Sequence, residues 1–159
     1  MTNLSKRIYV ILSVIFLILF DVFCSNVVMQ NVDKYKPNAI LDLIYVQNTG
    51  AAFSILQGSK LFLILFSSFA FLWIVYYVLK NIDIISKTSL FWVSLLSAGI
   101  FCNLYERVAY GYVRDFFKLN FVNFPVFNIS DIFINISVLA IVIIIIKHNF
   151  SKNNENSSR

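Results

Sequence analysis

Four long apolar runs constrain this chain more than any other feature of its sequence. They extend from Ile8 to Met29, from Leu61 to Leu79, from Thr88 to Tyr105 and from about Phe127 to Ile146. A helix needs about 20 residues, at about 1.5 Å each, to cross the hydrocarbon core of a bilayer. All four runs are near that length. The sequence therefore predicts an all-α membrane protein with four transmembrane helices.

The composition agrees with this interpretation. Of the 159 residues, 59% are hydrophobic and only 13% are charged, which is too few to cover the surface of a small soluble domain. The net charge of +5 could indicate nucleic-acid binding, but the Lys and Arg residues are scattered between the apolar runs and form no basic stripe. We expect membrane lipid as a partner and no nucleic acid.

The cysteine and histidine content predicts neither a disulfide nor a metal site. Cys24 and Cys102 each lie inside an apolar run, where a free cysteine usually behaves as a small hydrophobic residue. The single histidine, His148, lies in the polar C-terminal part beside Lys147. We therefore expect no metal ion and no cofactor.

The charges suggest an orientation in the membrane. An even number of spans places both termini on one side, and basic residues flank the spans on that side, as is typical of the cytoplasmic face. The opposite side is also basic, so the charge bias is slight. Most of the acids, however, fall on or near that opposite side: Asp21, Asp33, Asp42, Glu106, Asp115 and Asp131. We expect cytoplasmic termini and polar chemistry near the periplasmic face.

The outer loops have a composition of their own. Segment 32–59 contains β-branched and aromatic residues that favour short strands, and Asn48-Thr49-Gly50 predicts a turn in which Gly50 is free to take a positive φ. The Phe-rich stretch from Phe116 to Phe127 is expected to lie at the membrane interface. Residues 151–159 are polar and predicted to be a disordered cytoplasmic tail, which leaves residues 1–150 as one membrane domain.

Two acids on the outer side form a possible catalytic pair. Asp115 and Asp131 are 16 residues apart, and an aromatic linker joins them. Taken singly, Asp115 could be a solvated loop acid and Asp131 a helix cap. Two carboxylates within reach of each other cannot both ionise cheaply, so one keeps a proton while the other can activate water. The pair therefore predicts aspartic-protease chemistry without a metal.

Other polar residues near lipid are also candidates. Asp21 lies within the first apolar run, where an acid is either functional or a helix-end group that reaches the interface, and we favour a structural role. A second group shares a position at outer span ends or in the adjoining loop: Asn48, Asn103, Arg107 and Asn128. Buried amides need hydrogen-bond partners, which either a peptide substrate or the chain's own helix ends and turns would supply.

Four short motifs together resemble the lipoprotein signal peptidase (signal peptidase II) family. They occur in the family's order and on the same predicted side of the membrane, across essentially the whole chain. The motifs are Asn48-Thr49-Gly50-Ala51-Ala52-Phe53, Asn103-Leu104-Tyr105-Glu106-Arg107, Gly111-Tyr112-Val113-Arg114-Asp115-Phe116 and Phe127-Asn128-Ile129-Ser130-Asp131.

This resemblance implies a function and a set of site residues. The chain would be an intramembrane aspartyl endopeptidase of the bacterial inner membrane that cuts prolipoproteins just before a cysteine carrying diacylglycerol. Asp115 and Asp131 would be the catalytic dyad, with segment 32–59 as a β-rich cradle beside the substrate. The substrate site would be lined by Asn48, Asn103, Arg107 and Asn128, and structural roles would fall to Asp21, Gly50 and Glu106.

Some positions depart from the family pattern. The family usually has Asp at Glu106, Gly at Cys102 and Ala at Ser130, and Val22 and Ser25 replace a Gln and a Lys that follow the family's first-span Asp. An alternative function is a small transporter or proton-relay subunit that uses Asp21, but a relay would spread acids through the membrane depth. A purely structural assembly protein would show paired small residues at helical spacing, and only scattered Ala and Ser occur.

Overall fold

A computed structural model describes residues 1–51 and 55–157, with side chains as far as Ser151. In this part of the chain the elements are α1 (Asn3–Asn31), a 3₁₀ turn (Val32–Lys34), β1 (Leu41–Asn48), α2 (Lys60–Lys80), α3 (Lys87–Ala109), β2 (Val113–Leu119) and α4 (Ile129–Ser157). All four α-helices are long and apolar enough to cross a membrane. The prediction of four spans is therefore confirmed.

One end of the bundle is closed by helix caps and by a lysine. The hydroxyl oxygens of Thr2 and Ser86 accept hydrogen bonds from backbone N–H groups in the first turns of α1 and α3. Lys6 Nζ donates to the carbonyl oxygens of Ile82, Asp83 and Ile85, at 2.8 to 2.9 Å. These carbonyls follow the C-terminus of α2, so the lysine ties the start of α1 to the α2–α3 connection.

The third helix is the centre of the bundle. It packs against α1, α2 and α4, and small residues occupy much of its buried surface: Ser94, Ser97, Ala98 and Gly99. The serine hydroxyls donate to carbonyl oxygens one turn earlier, which leaves no polar hydrogen unsatisfied in an apolar setting. Lipid tails are as apolar as the helix surfaces, so close packing through small residues supplies much of the attraction between membrane helices.

Gly99 lets α3 and α4 approach closely. A Cβ at this position would lie 2.7 Å from the carbonyl oxygen of Ser130 and 2.9 Å from Cγ1 of Ile134. No side chain fits at the first distance without movement of the backbone. The contact therefore holds the first turn of α4, which carries Asp131, against the middle of α3.

The outward faces of the helices are apolar. Large side chains such as Phe69, Leu72 and Leu139 are more than 60% exposed, although each belongs to a membrane-length helix. Exposure of these apolar side chains to water would be unfavourable, whereas their contact with lipid is not. The helical backbone is also compatible with lipid, because its polar groups are hydrogen-bonded within the helix. The chain is a multi-pass membrane protein.

A two-stranded antiparallel sheet lies at the other end of the bundle. β1 confirms the strand predicted within segment 32–59, and it pairs with β2 so that Asn48 lies opposite Val113 and Val46 opposite Asp115. The pairing is irregular between Leu43 and Val46. The ladder fixes β2 beside β1, although the two strands are far apart in the sequence.

Two details differ from the sequence-based expectations. The stretch from Phe116 to Phe127 is not only an interfacial segment, since its first part belongs to β2 and Phe127 pairs back onto Phe117. Helix α4 continues to Ser157, past the predicted start of a disordered tail, because adding a residue to an existing helix costs little. At the predicted turn, the backbone N–H of Gly50 donates a hydrogen bond of 2.9 Å to Asn48 Oδ1.

Parts of two predicted features cannot be compared with the structure. The last two residues of the first motif, Ala52 and Phe53, lie outside the described residues, as do the final two residues of the predicted tail.

Candidate active site

Asp115 lies in β2 and is almost completely buried, with 1% of its surface exposed. Both of its carboxylate oxygens accept a hydrogen bond from an amide. Asn48 Nδ2 donates to Oδ2 at 2.9 Å, and Asn128 Nδ2 donates to Oδ1 at 2.9 Å. Because Asn48 ends β1, the sheet itself supplies one of these donors. The carboxylate is held from two sides.

Asp131 lies in the first turn of α4, where the helix dipole favours a negative charge. Its Oδ1 accepts a hydrogen bond from Asn103 Nδ2 at 2.9 Å, and its Oδ2 accepts one from the backbone N–H of Asn128 at 3.2 Å. In return, Asn128 Oδ1 accepts the backbone N–H of Asp131 at 2.8 Å. This reciprocal pair of bonds is a capping arrangement that fixes the start of α4.

Asn128 joins the two acids. Its side-chain amide donates to Asp115 and its backbone N–H donates to Asp131, and the same side chain donates to Asn103 Oδ1 at 3.1 Å. Its position follows from backbone bonds between β2 and the returning segment: the N–H of Phe127 donates to the carbonyl oxygen of Phe117, and the N–H of Phe117 donates to the carbonyl oxygen of Phe127. The linker thus folds back and brings the two predicted acids together.

A cavity of about 660 Å³ opens beside the acids. Its polar end includes Asp115, Asp131, Asn48, Asn103 and Arg107. Its apolar wall comes from three helices: Leu63, Phe66 and Ala70 of α2, Leu96 and Ile100 of α3, and Ile134 and Val138 of α4. Asn128, which was predicted to line the substrate site, is not among the lining residues; it is buried, and its side chain bonds Asp115 and Asn103.

Arg107 is the cation of the site. It is buried in the last turns of α3, where Nη2 donates to Gly50 O at 2.8 Å and Nη1 to Asn103 O at 3.3 Å. Its Nε is buried and has no hydrogen-bond partner among the described residues. An unpaired donor beside a cavity is costly, and a ligand that accepts a hydrogen bond would satisfy it.

The surroundings of Asp115 raise its pKa to about 7. Burial is the main cause, because it disfavours the charged form, and the negative charge of Asp131 adds to it. The hydrogen bonds from Asn48 and Asn128, and the charge of Arg107, act in the opposite direction and lower this pKa. The pair can therefore hold one proton near neutral pH.

Asp21 is buried away from the cavity lining. Its Oδ1 accepts a hydrogen bond of 2.8 Å from Ser130 Oγ, which is itself buried. Since Ser130 immediately precedes Asp131, the bond ties α1 to the start of α4. Asp21 stands out in the sequence as an acid within an apolar run, but its partner does not, because nothing in the chain's periodicity pairs residues 109 positions apart.

Glu106 forms an ion pair that sequence analysis also missed. Its carboxylate accepts three hydrogen bonds from Arg114: from the backbone N–H at 2.7 Å, from Nε at 2.8 Å and from Nη2 at 2.6 Å. Their spacing of eight residues across a turn was the available signal. The described residues contain no group of three or more His, Cys, Asp and Glu side chains that could hold a metal ion.

These features define a class: a multi-pass membrane protein with two acids, the buried Asp115 and the half-buried Asp131, at the polar end of a partly apolar cavity. The sequence profile of the family described as signal peptidase (SPase) II matches residues 13–147, most of the chain. The chain therefore belongs to the signal peptidase II family and is a peptidase. The resemblance inferred from the four motifs is confirmed.

Individual relatives agree with the family assignment. The chain is 30% identical to a lipoprotein signal peptidase of Streptococcus pneumoniae, over 94% of this chain and all of that protein. It is 41% identical to a lipoprotein signal peptidase of Caldicellulosiruptor bescii, over 68% of this chain and 69% of the relative. The multi-pass protein thus has bacterial homologues along its length.

Solved structures share the fold. A bacterial membrane enzyme determined by the in meso method at 2.3 Å resolution superposes with a TM-score of 0.77 and 28% identity, covering 91% of each chain. A second, determined at 1.9 Å, gives a TM-score of 0.71 at 29% identity. The four-helix bundle with its small sheet is therefore a fold that membrane enzymes use.

Proposed function

We propose that this protein is an aspartic endopeptidase that removes the signal peptide from diacylglyceryl-modified prolipoproteins, cutting before the lipidated cysteine. One observation carries the catalytic part of the proposal. A single residue, Asn128, donates hydrogen bonds to the carboxylates of both Asp115 and Asp131, beside a cavity that both acids line. Membership of the signal peptidase II family supports the choice of substrate.

The chemistry follows from a pair that shares one proton. The ionised carboxylate takes a proton from a water molecule as the water oxygen forms a bond to the carbonyl carbon of the scissile peptide. The protonated carboxyl donates its proton to the carbonyl oxygen, which gives a neutral tetrahedral diol. The diol then collapses: one hydroxyl gives its proton to the carboxylate that is now ionised, the C–N bond breaks, and the other carboxyl passes the proton it took from water to the leaving nitrogen, so the pair again holds one proton. The pair titrates as a unit, so neither acid has a fixed role at rest.

The cavity suits a substrate that is part peptide and part lipid. Asn48, Asn103 and Arg107 place amide and guanidinium groups at the polar end, where a peptide backbone would lie beside them. The apolar wall from α2, α3 and α4 continues along membrane-length helices, where acyl chains and a signal helix can remain in lipid. In this arrangement Asn128 does not line the cavity and holds the two acids through its hydrogen bonds.

The proposed orientation places both termini in the cytoplasm and the sheet near the periplasmic face. The sheet and both acids are at the end of the bundle opposite the Lys6 cap. Strands β1 and β2 would form the cradle beside the incoming precursor. Asp21 and Glu106 would have structural roles, since each bonds another residue of the chain and neither lines the cavity.

The test is a gel-shift assay of a diacylglyceryl prolipoprotein, with purified protein in lipid and no added metal. Asp115→Asn and Asp131→Asn should insert normally and abolish cleavage, because neither variant can supply both a proton donor and a base. Asp33→Asn, at an exposed position of the same side, is the matched control and should cleave normally. Undiminished cleavage by either dyad variant would exclude that residue from the mechanism. A transporter or proton relay has no support from the family match.

A further inference from the structure

The ion pair between Glu106 and Arg114 does more than neutralise two charges. Both side chains are largely buried, 12% and 19% exposed, at the junction between α3 and β2. Glu106 Oε1 binds the guanidinium through two nitrogens, while Oε2 accepts the backbone N–H of Arg114. A carboxylate that binds the main chain as well as the side chain restrains the path of the backbone.

That backbone leads directly to the acid pair. Arg114 immediately precedes Asp115, and successive side chains of a strand point to opposite faces. Between Glu106 and Arg114 the chain turns sharply at Gly111, whose φ is +89°. The Glu106 carboxylate thus closes this turn and joins the end of α3 to the second residue of β2.

We propose that Glu106 and Arg114 are positioning residues that hold the backbone of Asp115 so that its carboxylate stays against Asp131 and Asn128. The proposal rests on the proposed function, because it assigns a task to residues next to the proposed catalytic pair. Neither residue bonds the Asp115 carboxylate or lines the cavity, so an effect on cleavage passes either through the position of β2 or through the charge of Glu106, which also acts on Asp131. Hydrogen–deuterium exchange of β2 reports on the position alone.

The β1 pairing alone restrains Asp115 incompletely. The ladder is irregular between Leu43 and Val46, just before the Val46–Asp115 pair. The groups that face the Asp115 carboxylate come from three other places: Asn48 at the end of β1, Arg107 in α3, and Asn128 with Asp131 at the start of α4. These groups contact the carboxylate in its present position, and Glu106 bonds the strand that carries it to the end of α3.

Breaking the pair should therefore have a catalytic signature. In Glu106→Gln and in Arg114→Gln, kcat should fall on the order of 10²-fold, the effect of a displacement of about 1 Å, with KM within about threefold. The high-pH limb of the kcat profile should also move to lower pH, because a carboxylate that reaches water loses the burial that raises its pKa. Glu106→Asp keeps the charge and should recover part of the activity.

The pair should act as a unit. The double variant Glu106→Gln/Arg114→Gln should lose little more activity than either single variant, since the interaction is already absent in each. Lys118→Gln is the matched control, as it removes an exposed charge from the same strand and should leave kcat and the pH profile unchanged.

A second measurement does not depend on activity. Hydrogen–deuterium exchange of the peptide that covers β2 should become faster in both Gln variants and stay at the wild-type rate in Lys118→Gln. If wild-type protein cleaves the prolipoprotein, and both Gln variants keep wild-type kcat, pH limb and exchange, the positioning proposal is overturned. If effects on kcat simply multiply in the double variant, the two residues do not act as a pair. Failure of the wild type to cleave would instead remove the proposed function. The exchange measurement would still test the structural claim, because exchange of β2 at the wild-type rate in both Gln variants would overturn it.

Discussion

The side-chain amide of Asn128 donates a hydrogen bond of 2.9 Å to Oδ1 of Asp115, although the two residues belong to different elements. The backbone of the same asparagine holds Asp131. Asn128→Ala should lower kcat on the order of 10²-fold, because the carboxylates lose the donor that sets their separation while the acids themselves remain. Steady-state cleavage of the lipidated precursor measures this.

Asn120→Ala is the control for that variant. Asn120 is also an amide of the outer segment, but it donates to Asn38 O at an exposed position away from the acids. It should retain wild-type kcat. Full activity in Asn128→Ala would show that the bridge is dispensable and that the sheet and α4 alone place the pair.

The pKa of Asp115, raised to about 7, predicts the shape of the pH profile. The active pair holds one proton, and a raised pKa means that this proton is lost as pH rises through about 7. Activity should therefore fall by about tenfold per pH unit above that point. The rate of precursor cleavage from pH 5 to pH 9, with insertion and stability checked at each pH, tests the direction. Activity that kept rising above pH 8 would contradict it.

Gly99→Ala should destabilise the bundle. The added Cβ would lie 2.7 Å from Ser130 O and 3.1 Å from the Cβ of Phe133, so α3 and α4 must separate. Overpacking of this kind costs about 1–3 kcal/mol, and the displaced helix carries Asp131, so cleavage should fall too. Thermal unfolding in detergent measures the loss. Val108→Ile adds one carbon at an exposed position of the same helix and should leave the midpoint unchanged.

Asp21→Ala should mainly lower stability. The variant leaves the buried hydroxyl of Ser130 without its acceptor, which costs about 1–3 kcal/mol. We expect a lower yield and unfolding midpoint, with cleavage by the folded fraction close to normal. Ser130→Ala should have a smaller effect in the same direction. An Asp21→Ala protein that is fully stable yet inactive would show that the structural role is wrong.

Much of the fold could be predicted from the sequence because its signals are local. Each transmembrane helix is visible as a long, mostly apolar run, and the strand β1 as a short stretch of β-branched and aromatic residues. The second strand was harder to predict: Phe116 and its neighbours suit a membrane interface as well as a strand, and only pairing with β1 decides between them.

The partners of the site residues were beyond sequence reasoning for a related reason. Glu106 and Asp21 could be recognised as unusual acids, but Ser130 carries no local mark of its role. The spacing of eight residues between Glu106 and Arg114 is a local signal, yet it does not by itself show that the two side chains pair. The central glycine of α3 was also overlooked. Gly99 interrupts a helical pattern, which often indicates a close contact, yet its need for space becomes visible only when α4 is packed against it.

The sequence by itself determined that the helices need lipid around them, that there are four spans, and that Asp115 and Asp131 are candidates for a pair, since hydropathy and residue type belong to each segment alone. Tertiary structure decided that the carboxylates of Asp115 and Asp131 meet beside one cavity. Their meeting depends on a strand register, a chain that folds back at Phe127 and a close helix crossing. Each of these is an interaction between distant parts of the chain, and only their combined geometry gives Asp115 the burial and the charged neighbour that raise its pKa.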